Sequence, residues 1–127
     1  MTLTVMHVDD EPDIREVAAI ALDLDADLTV TSVPSGSEAL KRLAEGARPD
    51  VVLLDVMMPG MDGPSVLARL REMEGLATTP VIFMTARAQS DEIERLKALG
   101  AIGVVVKPFD PMALARQLRD ILAAGGA

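Results

Sequence analysis

The chain has 127 residues, half of them hydrophobic, and a formal net charge of −8. That length suits one domain and is too short for two ordinary ones, with enough apolar material for a full core. The lack of cysteine excludes disulfides and thiolate metal sites, a single histidine excludes a multi-histidine zinc site, and the lack of Trp and Tyr removes the usual stacking platforms for single-stranded nucleic acid.

The aromatic residues are Phe83 and Phe109, so the core must be built from Val, Leu, Ile, Met and Ala. The amino terminus, Met1-Thr2-Leu3-Thr4-Val5, has no basic segment and meets charge at Asp9, which argues against a signal peptide. No apolar stretch approaches membrane-spanning length. A soluble, cytoplasmic setting is expected. The first apolar run is Leu3 to Val8. A helix should open at Pro12, since proline is well tolerated at the first helical position, with Ile14, Val17, Ala18 and Ala21 inward. The second run is Leu28 to Val33. Ser35-Gly36-Ser37-Glu38 has the spacing of a capping box and starts a helix with Ala39, Leu40 and Leu43 inward.

The third run is Val51 to Val56, and its helix follows Gly63 with Val66, Leu67, Leu70 and Met73 inward. The fourth run is Pro80 to Met84. Ser90-Asp91-Glu92 then predicts a helix cap with acidic first-turn residues, and Gly100 predicts the stop. The fifth run is Gly103 to Val106. Asp110-Pro111 opens the last predicted helix, with Leu114, Leu118, Ile121 and Leu122 inward, and 123–127 reads as a short flexible tail after an ordered core of about 3–123. Continuous apolar strands mean burial on both faces, hence a parallel sheet. Strict alternation of strand and helix gives one doubly wound α/β domain over 1–127.

Four strands end in polar residues: Asp9-Asp10, Asp55, Thr85 and Lys107. In a parallel sheet these ends share one edge. Asp9 and Asp10 are hard oxygen ligands suited to Mg²⁺, although acids are also common at any helix N-terminus. Two carboxylates about 5 Å apart repel by roughly 3 kcal/mol at an effective dielectric of about 20, so the cluster needs a cation or a proton. Asp55 could be a third ligand or a nucleophile that forms an acyl phosphate. Phosphoryl transfer needs positioned cations and donors more than a strong base. Lys107 and Thr85 would supply these; Lys107 could also be a plain charge partner for the acids. The negative charge disfavours nucleic acid and anionic membranes, and much of it serves as a solvated surface.

Asp9-Asp10, Asp55-x-x-Met58-Pro59-Gly60-Met61-Asp62-Gly63, Thr85-Ala86 and Lys107-Pro108-Phe109 together resemble the receiver domain of two-component response regulators, over nearly the whole chain. The resemblance implies a flavodoxin-like five-stranded parallel sheet in the order 2-1-3-4-5 with helices on both faces. It implies that Asp55 accepts a phosphoryl group from a histidine kinase or histidine phosphotransfer protein. It implies Mg²⁺ on Asp10, Asp55 and the Met57 backbone carbonyl, with Asp9 acting through water, and Thr85 and Lys107 on the phosphoryl oxygens. His7, mid-strand, is expected to be a satisfied core histidine. Such domains often carry Tyr or Phe three residues before the lysine. Val104 stands there, and its stiff side chain has no ring to swing. The expected route of the signal is then the 85–90 loop and the fourth helix.

Met57 and Arg87, each two residues beyond a site residue, are candidate modulators of phosphoryl lifetime: Met57 by shielding, Arg87 by pairing with oxygens. Arg87 reads equally as an exposed loop side chain. The expected function is a stand-alone receiver that catalyses only its own phosphorylation and dephosphorylation. Its output would pass to a downstream protein across the face of helix 4, strand 5 and helix 5, where Glu92, Arg95, Lys97, Arg116 and Arg119 lie. An aspartyl-phosphate phosphatase of the haloacid dehalogenase type is the alternative, but it needs an acid where Met57 stands. A nucleotide or flavin module lacks its glycine-rich phosphate loop after the first strand. A pseudo-receiver that only binds partners is disfavoured by the complete set of acids, threonine and lysine.

Overall fold

The computed structural model describes residues 2–125. Strands and helices alternate as β1 (Leu3–Val8), α1 (Pro12–Asp23), β2 (Leu28–Val33), α2 (Gly36–Ala44), β3 (Val51–Asp55), α3 (Gly63–Arg71), β4 (Val81–Thr85), α4 (Ser90–Ala98), β5 (Gly103–Val106) and α5 (Leu114–Gly125). All four strand pairings are parallel, and the sheet order is β2-β1-β3-β4-β5, as expected. The continuous apolar runs of β3 and β4 are buried at every residue, because helices cover both faces. The edge strand β2 alternates between buried and open positions instead.

Two cores result. One carries Met6, Val8, Val52, Leu54 and Phe83 against α2, α3 and α4; the other carries Val5, Leu53, Ile82, Met84 and Val105 against α1 and α5. Phe83 fills the first as a fully buried ring. At the amino-terminal edge of the sheet, the Arg71 guanidinium donates to the carbonyls of Leu76 (3.1 Å) and Thr79 (2.6 Å), and Arg48 donates to those of Leu43 (2.9 Å) and Ala47 (2.7 Å). These arginines staple the loops that feed β3 and β4.

Several local expectations are corrected. In α1 the buried face is Ala18, Ala21 and Leu22, while Val17 is exposed beside Ile20 and Leu24. Ser90 is the first helical residue of α4, not its cap; Gln89 holds the cap position without a side-chain bond. The last helix does not open at Asp110-Pro111. Asp110 Oδ1 accepts from the Met112 N–H at 2.9 Å, which makes a turn first, and α5 begins at Leu114. Residues 123–125, expected in the tail, continue α5, and 126–127 lie outside the described residues. The capping Ser35 accepts from the Glu38 N–H at 3.1 Å, as its spacing predicts.

Gly63 brings α3 against the strand that carries Asp55. Its N–H donates to the Val56 carbonyl at 2.9 Å, and a Cβ there would lie 2.5 Å from the Asp55 carbonyl oxygen. Gly63→Ala must therefore push backbone from backbone. It is expected to lose about 1–3 kcal/mol of stability in urea unfolding; a variant as stable as the parent would show that this approach is not tight.

Candidate functional site

β1 ends at Val8, and the Asp9 N–H extends the ladder by donating to the Val33 carbonyl at 3.1 Å. The Asp9 side chain is fully buried. Its Oδ1 accepts from the Glu11 N–H at 2.9 Å, which turns the chain into α1, and its Oδ2 accepts from Lys107 Nζ at 2.9 Å. The Asp9 carbonyl accepts from the Arg15 guanidinium at 2.8 Å. Asp10, half-buried, follows in the turn.

Asp55 is the last residue of β3 and is buried, with Oδ1 3.2 Å from Lys107 Nζ. One ammonium thus bridges acids from two strands. Lys107 is fixed by its own main chain, whose N–H donates to the Thr85 carbonyl at 2.7 Å. The Lys107–Pro108 peptide is cis. Thr85 is buried, and its Oγ1 accepts from the Arg87 N–H at 3.0 Å. Carboxylate oxygens of Asp9, Asp10 and Asp55 lie within 4.8 Å of one another. The five residues expected at one sheet edge are there.

Burial raises the Asp55 carboxyl from 3.8 to about 6, and the Asp9 charge adds to the rise, against the opposing pull of Lys107. Burial alone would lower the Lys107 ammonium, but its bond to Asp9 and the Asp55 charge outweigh that and raise it. Three acids against one ammonium leave an excess of negative charge. Hard oxygens held this closely fit a small divalent cation, which would relieve the repulsion that adds to the rise of Asp55.

Among the described residues, the side chains of the other predicted residues make no hydrogen bond to the acids. The Met57 side chain is 72% exposed and lines a shallow hollow with Met58, Pro59, Gly60 and Asp62. Arg87 is exposed and lines a cleft with Gln89, Asp91, Glu92 and Arg95; among the described residues it makes no ion pair with Asp55. Val104 pairs in register with Phe83 and packs half-buried against the core. His7 is buried as expected, but it is not satisfied. Neither ring nitrogen has a hydrogen-bond partner, and Nε2 is 3.9 Å from Asp9 Oδ2, too far for a bond. Burial lowers the imidazole to about 4, so it is neutral at physiological pH.

Sequence reasoning missed two supports. Asp62 caps α3 by accepting from the Ser65 N–H at 2.9 Å, a pattern legible in Asp62-Gly63-Pro64-Ser65. The Arg15 bond to the Asp9 carbonyl has no such signal.

Residues 5–119 match the family model described as the response regulator receiver domain. The chain belongs to this family. Phosphorylation-based signalling is the role of these receivers, and histidine kinases or phosphotransfer proteins are the partners of the family. The transcriptional regulatory protein CseB of Streptomyces coelicolor is 39% identical over 122 residues, 96% of this chain and 50% of that protein. The probable transcriptional regulatory protein TcrX of Mycobacterium tuberculosis is 41% identical over 126 residues, 98% of this chain and 51% of that one. The receiver therefore spans about half the length of each. The solved structure of the chemotaxis response regulator CheY4 of Vibrio cholerae is similar with a TM-score of 0.86 at 34% identity, covering 96% of this chain and 100% of that one. These likenesses give the phosphatase alternative no support. No helix among the described residues is long and apolar enough to cross a membrane.

The raised Asp55 value has a consequence for stability in chelator. Below about pH 4 the carboxyl is protonated in folded and unfolded chains alike. As pH rises from 3.8 to about 6 the unfolded chain ionises while the folded one keeps its proton, so stability falls. Asp55→Asn is expected to be more stable than the parent by about 2 kcal/mol at neutral pH, the gap closing toward pH 4 and narrowing with Mg²⁺. Urea unfolding across this range checks it; a gap independent of pH would contradict the assigned cause.

Proposed function

We propose that this receiver takes a phosphoryl group on Asp55 from a phosphohistidine donor, in a Mg²⁺-dependent reaction, and passes the signal on by protein contact. The observation that carries the reading is the Lys107 ammonium lying 2.9 Å from Asp9 and 3.2 Å from Asp55 beside a third acid. An Asp55 oxygen attacks phosphorus, the P–N bond of the donor breaks, and the imidazole nitrogen leaves with the electron pair. The product is an acyl phosphate. Asp10, Asp55 and the Met57 carbonyl would hold Mg²⁺, which supplies charge neutralisation at the phosphoryl oxygens. Asp9 acts through water, a part that suits a carboxylate whose two oxygens already accept from Glu11 and Lys107.

Lys107 pairs with a phosphoryl oxygen. Thr85 donates to another: its oxygen accepts from Arg87 N–H, which leaves the hydroxyl proton free. That same bond ties the hydroxyl to the main chain of the 85–90 loop. Movement of Thr85 therefore shifts the loop and the start of α4, with Val104 contributing no ring. The face of α4, β5 and α5 is the proposed output surface. Arg95 there pairs with Glu92, and Arg119 with Asp25, which leaves Lys97 and Arg116 as its unpaired cations among the described residues. In this reading the reaction is cytoplasmic, and the receiver catalyses only its own phosphorylation and dephosphorylation.

Incubation with Mg²⁺ and acetyl phosphate should add one phosphoryl group to the intact mass, mapped to Asp55. Chelator or Asp55→Asn should abolish it. A modified residue other than Asp55 would overturn the reading. Met57→Asn and Arg87→Ala should each change the lifetime of the acyl phosphate, about two- to tenfold if one charge-assisted contact or a shield is altered. Unchanged decay in both removes these two residues from the site.

A further inference from the structure

His7 is the single histidine of the chain and, among the described residues, the one buried side chain whose polar atoms have no hydrogen-bond partner. Buried polar groups are normally paired, and an unpaired one costs stability. The cost is borne next to the acid cluster. Nε2 lies 3.9 Å from Asp9 Oδ2, the oxygen that Lys107 Nζ holds at 2.9 Å. The rest of Asp9 is committed elsewhere: Oδ1 to the Glu11 N–H, the carbonyl to Arg15, the N–H to Val33. In the proposed reaction Lys107 turns toward phosphoryl oxygens. Asp9 Oδ2 would then lose its side-chain donor while remaining buried.

We infer that His7 is a positioning residue, donating from Nε2–H to Asp9 Oδ2 when Lys107 turns to the phosphoryl group, and so holding the carboxylate in place. The inference rests on the functional reading above. Closing from 3.9 Å to a hydrogen bond of about 3 Å is a shift of about 1 Å. The groups facing the ring are Asp9, Lys107 and Arg15; burial and the two cations keep it neutral, so no protonation event is involved. A neutral imidazole carries its proton on one nitrogen, and the acid beside Nε2 selects that one.

With one histidine, ¹⁵N spectra of the labelled full chain report both ring nitrogens without ambiguity. The expected result is the Nε2–H tautomer, with the Nε2 proton shifting downfield when Mg²⁺ and beryllofluoride, a phosphoryl mimic, are added. His7→Phe should be as stable as the parent or more so in urea, yet phosphorylate about tenfold more slowly with acetyl phosphate, the loss of one hydrogen bond to a charged group. His7→Gln, which retains a donor, should recover most of the rate. An Nδ1–H tautomer unmoved by the mimic, or a phenylalanine variant as fast as the parent, overturns the inference. The spectra decide the matter if that variant does not fold. A parent chain that is never phosphorylated on Asp55 sinks the functional reading as well; normal phosphorylation of parent and phenylalanine variant alike sinks the role of His7 alone.

Discussion

A lysine ammonium set between two buried carboxylates, 98 residues away in sequence from one of them, is the contact on which this site depends. It cannot form locally. β1 and β3 must lie side by side to bring Asp9 and Asp55 together, and β4 must lie between β3 and β5 so that Lys107 reaches back across Thr85. The chain order reverses between β1 and β3, and doubly wound sheets leave a crevice for ligands at such a point. Charge explains why the pocket needs the amine. Burial, with the neighbouring Asp9 charge, raises the proton affinity of Asp55, and the Lys107 cation only partly offsets that, so the clustered acids suit a divalent cation.

The core serves that edge. Because the sheet is covered on both faces, the apolar strand residues divide between two layers, and the polar site groups come at the strand ends: Asp55 and Thr85 close β3 and β4, while Asp9 and Lys107 follow β1 and β5. The polar groups are therefore presented by a scaffold that has little freedom. Gly63 adds to this, since its missing side chain lets α3 close directly on the backbone of Asp55. Arg15 does the same from α1 by holding the Asp9 carbonyl.

The strand sequence, the class of fold and all five edge residues were legible in the chain, because uninterrupted apolar runs ending in acids, a hydroxyl and an amine leave few other arrangements. What escaped was what depends on rotation and rotamer. Ile14 and Val17 fit a helical stripe, yet α1 buries Ala18, Ala21 and Leu22, and a stripe displaced by one residue has nearly the same periodicity. Asp110 looked like a helix cap, but its carboxylate engages Met112 and closes a separate turn before α5. His7 was placed correctly in the interior, whereas its want of a partner follows from side-chain distances that no pattern encodes. The parts of Met57 and Arg87 turn on loop side chains: Met57 is largely exposed, and Arg87 makes no ion pair with Asp55 among the described residues.

The two rims of the sheet are fastened by unlike chemistry. At one rim, Arg71 and Arg48 grip peptide oxygens, which have no proton to gain and no counter-charge to lose. At the other, cohesion runs through ionisable oxygens. Acid that protonates Asp55 therefore removes a buried charge and stabilises the site rim, while the arginine grips of the opposite rim are indifferent to it.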